Sequence, residues 1–124
     1  MTDQAIFSPV LVYISDQRGL DLAAEILRTG GFEANRARNL SELELALERL
    51  ECAVIVTVTA KIGEVRALSN LPIVNIQAFV LPNVERAENQ PRSIFDRGGF
   101  LDRVRLNHRD RPVTMRHAPR RFVS

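Results

Sequence analysis

Short apolar runs alternate with stretches of helical spacing through the first eighty residues of the chain. Residues 10–14, VLVYI, are apolar at every position, the pattern of a strand covered on both faces. A polar turn, SDQRG, comes next. Over residues 20–29 Leu20, Ala23, Ala24 and Leu27 recur with helical spacing, Ile26 flanks them, and Gly30-Gly31 ends the helix. Residues 32–38 predict a brief, more polar strand near an edge. Asn39 followed by Glu42 marks a helix start, with Ser41 and Glu44 as a second register of the same capping box. Leu40, Leu43, Leu47 and Leu50 supply that helix's apolar stripe. Residues 53–58 are rich in β-branched side chains and predict a central strand. Residues 62–68 predict a short helix. Residues 72–80, PIVNIQAFV, predict one more apolar strand, with Pro72 at its first position, where a missing N–H does least harm.

After residue 81 the pattern changes. Residues 83–98 are polar and broken by Pro91, and residues 99–104, GFLDRV, predict a fifth strand. No amphipathic helix is expected from residue 107 onward, so the last helix of such a fold is expected to be missing and the end of the chain to form an extended or disordered arm. Strand and helix alternate over about 80 residues, which indicates an α/β fold: an open parallel sheet of four to five strands with helices on both faces. The expected division is one α/β domain over residues 1–106 and a basic arm over 107–124.

Length and composition narrow the class. The 124 residues suit one domain, and 45% hydrophobic with 26% charged residues is ordinary for a globular protein. The single cysteine, Cys52, excludes an internal disulfide framework and fits a reducing compartment. The N-terminus has no basic start and no small-residue cleavage site, and no apolar run reaches the ~20 residues of a membrane helix, so a cytoplasmic protein without a membrane partner is expected. Charge is uneven. Residues 1–91 carry 8 basic and 12 acidic side chains, a net of −4, and residues 92–124 carry 9 Arg against 3 Asp, a net of +6. A basic tail on an acidic body suggests an acidic partner or nucleic acid, with Arg105, Arg109, Arg111, Arg116, Arg120 and Arg121 as candidate contacts. Phe122 is the one aromatic residue after Phe100, so a stacking platform for single strands is lacking.

Open α/β sheets bind ligands at the C-terminal ends of their strands. Asp16 falls there, either as a polar ligand contact or as the N-cap of the first helix. Ser15, Thr57, Thr59 and Gln77 share that edge, as a neutral polar pocket or as partners of loop amides. Cys52 lacks a flanking base or cation and reads as a core thiol. His108 and His117 are too few for a metal site, and they offer no Ser-His-Asp order. Gly19 alone between strand and helix is not a dinucleotide fingerprint. No cofactor, metal or catalytic residue is expected.

AEILRTGGFEANRARNLSELELAL, LPIVNIQA and GGFLDRV, taken in order, resemble the response-regulator receiver domain of bacterial two-component signalling, a flavodoxin-like fold. The likeness covers about residues 9–104. It implies where phosphoryl chemistry would lie, and there the residues depart from the family. Ser15-Asp16 stands where receivers carry two adjacent acids for magnesium. Thr57 stands at the phosphoacceptor Asp, Gln77 at a Thr or Ser, and Arg103 at the Lys that closes the fifth strand. Phosphorylation of a carboxylate needs that carboxylate, a hard cation and a positive group, and a threonine hydroxyl without a base does not replace it. The resemblance therefore implies a non-catalytic, phosphorylation-independent regulatory module acting through a protein partner or self-association. A nucleic-acid-associated regulator using the arm is the alternative, and a small-molecule sensor at the strand ends is the second alternative.

Overall fold

The computed structural model describes residues 9–84 and 87–109. Four strands, β1 (Val10–Tyr13), β2 (Ala34–Ala37), β3 (Val54–Thr57) and β4 (Ile73–Asn75), form one sheet in the order β2-β1-β3-β4, and every pair is parallel. Tyr13 sits between Ala37 and Thr57 in the ladder. Four helices, α1 (Gln17–Thr29), α2 (Leu40–Arg49), α3 (Ile62–Leu68) and α4 (Arg97–Arg109), cover both faces. The architecture is α/β with a four-stranded parallel sheet flanked by helices, consistent with a flavodoxin-like or receiver-like fold.

The period-two alternation of the strands divides the core in two. Val10, Val12, Ile14, Val54, Val56 and Val74 meet Leu20, Ala23, Ile26 and Leu27 of α1 and Phe100 and Val104 of α4. Leu11, Tyr13, Ala37 and Ile55 meet Leu43 of α2 and Val65 of α3, with Cys52 beside them. Each fully buried aliphatic side chain of this kind stabilises by roughly 1.5–3 kcal/mol.

Local signals set the helix ends. Asp16 caps α1 by accepting from the Gly19 N–H at 2.8 Å. At the other end the N–H of Gly31 donates to Arg28 O and that of Phe32 to Leu27 O, both at 3.0 Å, a Schellman closure. Gly31 takes a φ of +93°, a region that glycine enters without a Cβ penalty. Asn39 caps α2 by accepting from Glu42 N–H, so the first of the two predicted registers is used.

Three expectations are corrected. Residues 99–104 are not a fifth strand but lie inside α4. Asp96 accepts from Gly99 N–H at 3.0 Å and starts the helix, and Phe100, Leu101 and Val104 fall on one helical face. The last helix is therefore present, and it runs to Arg109, so the boundary drawn after residue 106 falls within it and His108 is helical. Residues 110–124 of the predicted arm, with Arg111, Arg116, His117, Arg120 and Arg121, lie outside the described residues. Finally, residues 72–80 are not one strand. The Asn75 side chain accepts from Gln77 N–H and turns the chain into a short 3-10 helix, Ile76–Phe79. Beyond it the chain forms a separate antiparallel ribbon of β5 (Val80–Pro82) and β6 (Ser93–Phe95).

Phe100 holds α4 on the sheet. It is fully buried, and its ring meets Phe79 at 5.7 Å and Phe95 at 5.6 Å, with ring planes inclined at 66° and 57°. Phe100→Ala is expected to destabilise the domain by about 3–5 kcal/mol. Denaturant unfolding followed by circular dichroism checks this, and a loss under about 1 kcal/mol would show that α4 is only loosely attached.

Candidate functional site

Because all four strands are parallel, their C-terminal ends lie along one edge, where Thr57 and Asn75 end β3 and β4 and the segments leaving the strands carry Ser15, Asp16, Thr59 and Gln77. The sequence places most of these residues at one edge, and the fold does so too. What each side chain does there is set by its nearest hydrogen-bond partner.

Thr57 ends β3 and is fully buried. Its hydroxyl donates to Tyr13 O at 2.6 Å, across the β1–β3 pair. Asp16 is exposed, and one of its carboxylate oxygens already caps α1. Ser15 is exposed beside it. Thr59, Asn75 and Gln77 close on one another. Asn75 Nδ2 donates to Thr59 Oγ1 at 2.8 Å, Thr59 N–H donates to Gln77 Oε1 at 2.9 Å, and Gln77 N–H donates to Asn75 Oδ1 at 3.0 Å. The loops after β3 and β4 are thus tied by neutral groups that satisfy one another. Among the described residues no group of three His, Cys, Asp or Glu side chains comes together as a metal site.

Arg103 does not reach this edge. It lies on α4, exposed, with its carbonyl accepting from Asn107 Nδ2 at 2.9 Å. Its expected place rests on a fifth strand that the chain does not form. Arg105 on the same helix pairs with Asp102 at 3.0 Å and stacks its guanidinium 5.9 Å from the Phe32 ring centre. The His108 ring also meets Phe32, at 5.6 Å. Arg109 is the last helical residue. Cys52 is buried, and burial, reinforced by Glu51, pushes its thiol up to about 11, so it is protonated at neutral pH.

One cluster lies beyond the sequence reading. Tyr13 is buried, yet its hydroxyl reaches the rim and donates to Glu64 Oε1 of α3 at 2.6 Å. Lys61 lies 3.6 Å from the other Glu64 oxygen and 5.7 Å from the centre of the Tyr13 ring. Burial, then the Glu64 hydrogen bond and charge, push the Tyr13 hydroxyl up to about 12. The same hydrogen bond holds the Glu64 carboxyl below its ordinary range, with Lys61 adding to it. The one signal in the sequence is a tyrosine, an aromatic with a polar tip, at the end of an otherwise aliphatic run. Its partner, 51 residues away, is visible only in the fold.

Tyr13 is the only tyrosine and the chain has no tryptophan, so tyrosinate absorbance reports this group alone. Its titration midpoint is expected near the raised value of about 12 when folded and near the ordinary 10.0 in denaturant, with Glu64→Gln lowering the folded midpoint. The raised value means that the Tyr13 contribution to stability is intact below pH 10 and is lost as pH rises through about 12. A folded midpoint at the ordinary value would contradict the burial of the Tyr13 hydroxyl and its bond to Glu64 together. Compared with known proteins, the chain matches no family model and no curated protein.

Proposed function

We propose that this chain is a receiver-like regulatory module that works without phosphorylation and acts through protein contacts. The observation that carries this reading is Thr57. At the end of β3 the residue is fully buried and its hydroxyl is committed to the Tyr13 carbonyl, so the strand end offers neither a carboxylate nor an accessible nucleophile. Asp16 supports it, because a lone carboxylate that caps a helix is a poor magnesium site. The self-satisfied set of Thr59, Asn75 and Gln77 leaves the small-molecule reading without an observation in its favour. The interaction reading draws on exposed apolar side chains along the β5–β6 ribbon and its loop, Val80, Leu81, Val84 and Ile94.

A nucleic-acid role is the second reading, and the net +6 over residues 92–124 favours it. Arg103 and Arg105 are described members of that set that face solvent.

Two measurements separate these readings. With isotope-labelled protein, acetyl phosphate and magnesium are expected to leave the amide resonances of Asp16, Thr57 and Gln77 in place. A saturable shift at Thr57 would end the phosphorylation-independent reading. Nucleic-acid binding, if it is the function, falls steeply with salt and is lost when residues 110–124 are removed. For the interaction module the expected outcome is no salt-dependent binding of duplex or single-stranded oligonucleotide.

A further inference from the structure

We infer that the β5–β6 ribbon is a pairing edge for a second copy of this chain, joined β6 to β6 about a two-fold axis at Ile94. Asn83 N–H donates to Arg92 O at 2.8 Å, and Asp96 N–H donates to Phe79 O at 2.7 Å. Antiparallel ladders alternate, so with Leu81 opposite Ile94 the inward-bonding positions of β6 are 92, 94 and 96. The backbone N–H and C=O of Ser93 and Phe95 point the other way, and among the described residues β6 pairs with no strand but β5. The outer edge of β5 is closed to such pairing. Pro82 has no N–H, and the Val80 N–H is bonded to Gln77 O. The ribbon therefore has one competent edge, and β6 carries none of the Pro, Lys or bulge devices that blunt an edge strand.

The residues along that edge complement themselves. An antiparallel pair centred on Ile94 sets residue 93 opposite 95 of the second copy, both with outward hydrogen-bonding groups, so that four backbone bonds form. It also sets Arg92 opposite Asp96 of the second copy, twice by symmetry. Both side chains are exposed, and opposite charges directly across an antiparallel pair are favourable. On one face the row Leu81, Ile94, Ile94 of the second copy and Leu81 of the second copy becomes continuous. Leu81 is 41% and Ile94 49% exposed in the single chain, an unusual state for a cross-strand aliphatic pair with no cover. A slip of one residue would point bonding groups at non-bonding ones and set Arg92 against Phe95, so the charge pattern and the ladder select the same register.

This pairing names a partner for the interaction reading above and rests on it only to that extent. It does not depend on kinship with receivers, so its failure and a positive phosphate response are separate results. The test is sedimentation of the full chain over a concentration series, with two variants. The parent is expected to be a reversible monomer–dimer system. Ser93→Pro removes an outward N–H that the β5 ladder does not use, and it is expected to weaken the dimer by at least about tenfold with an unchanged thermal melt. Ile94→Cys places the two thiols across a non-hydrogen-bonded pair, about 4.5 Å between Cα atoms, within disulfide reach. Mild oxidation is expected to trap that variant as a covalent dimer while the buried Cys52 stays reduced. A parent that is monomeric throughout, a dimer that ignores Ser93→Pro, or an Ile94→Cys dimer that does not cross-link overturns the inference. If Ser93→Pro fails to fold, the cross-link decides.

Discussion

The structure depends on β1. Val10, Leu11, Val12 and Tyr13 bond to β2 on one side and β3 on the other, and helices cover both of their faces. A strand so enclosed has no route to water for a side-chain polar group along its length. That is why four consecutive positions show almost no exposure and why the first three are aliphatic. Tyr13 is tolerated because it is the last of the four. Its ring stays in the core and its hydroxyl leaves the sheet at the edge, where Glu64 accepts it.

The same enclosure governs the edge where an α/β sheet would place its chemistry. Thr57 is the neighbour of Tyr13 in the ladder and is equally buried, so its hydroxyl must be satisfied from within, and the Tyr13 carbonyl is the group in reach. A carboxylate in that place would need a cation or several donors to balance its desolvation. Thr59, Asn75 and Gln77 nearby are neutral and already bonded to one another. Together with Tyr13 and Thr57 they make this edge a seam that holds loops together. The ribbon before α4 and its loop, by contrast, leave Val80, Leu81, Val84 and Ile94 exposed.

Alternation of strand and helix, the two-sided burial of β1 and β3, the caps at Asp16 and Asn39 and the glycine stop of α1 are all legible in the sequence. Each is a local pattern read over a few residues, and the sheet order with helices on both faces agrees with short parallel connections. The region after residue 75 resists such a reading because its local signals conflict. Residues 76–80 have the β-branched and aromatic content of a strand, but a single Asx turn at Asn75 overrides it. Residues 99–104 have the apolar character of a strand, whereas the Asp96 cap and the Phe100–Val104 spacing favour the helix that forms.

Residue type and short-range period were therefore enough to fix the α/β class, the central strands, the first two helices and the lack of an aspartate at the end of β3. Long-range contact fixed the rest. It set the Tyr13 hydroxyl on Glu64, closed Thr59, Asn75 and Gln77 on one another, and seated Phe100 between Phe79 and Phe95 so that α4 could cover the sheet. It also paired residues 80–82 with 93–95 across a polar connection. Most of these contacts join residues well separated in the chain, and the energy that selects them comes from satisfying buried groups in three dimensions, which no local pattern encodes.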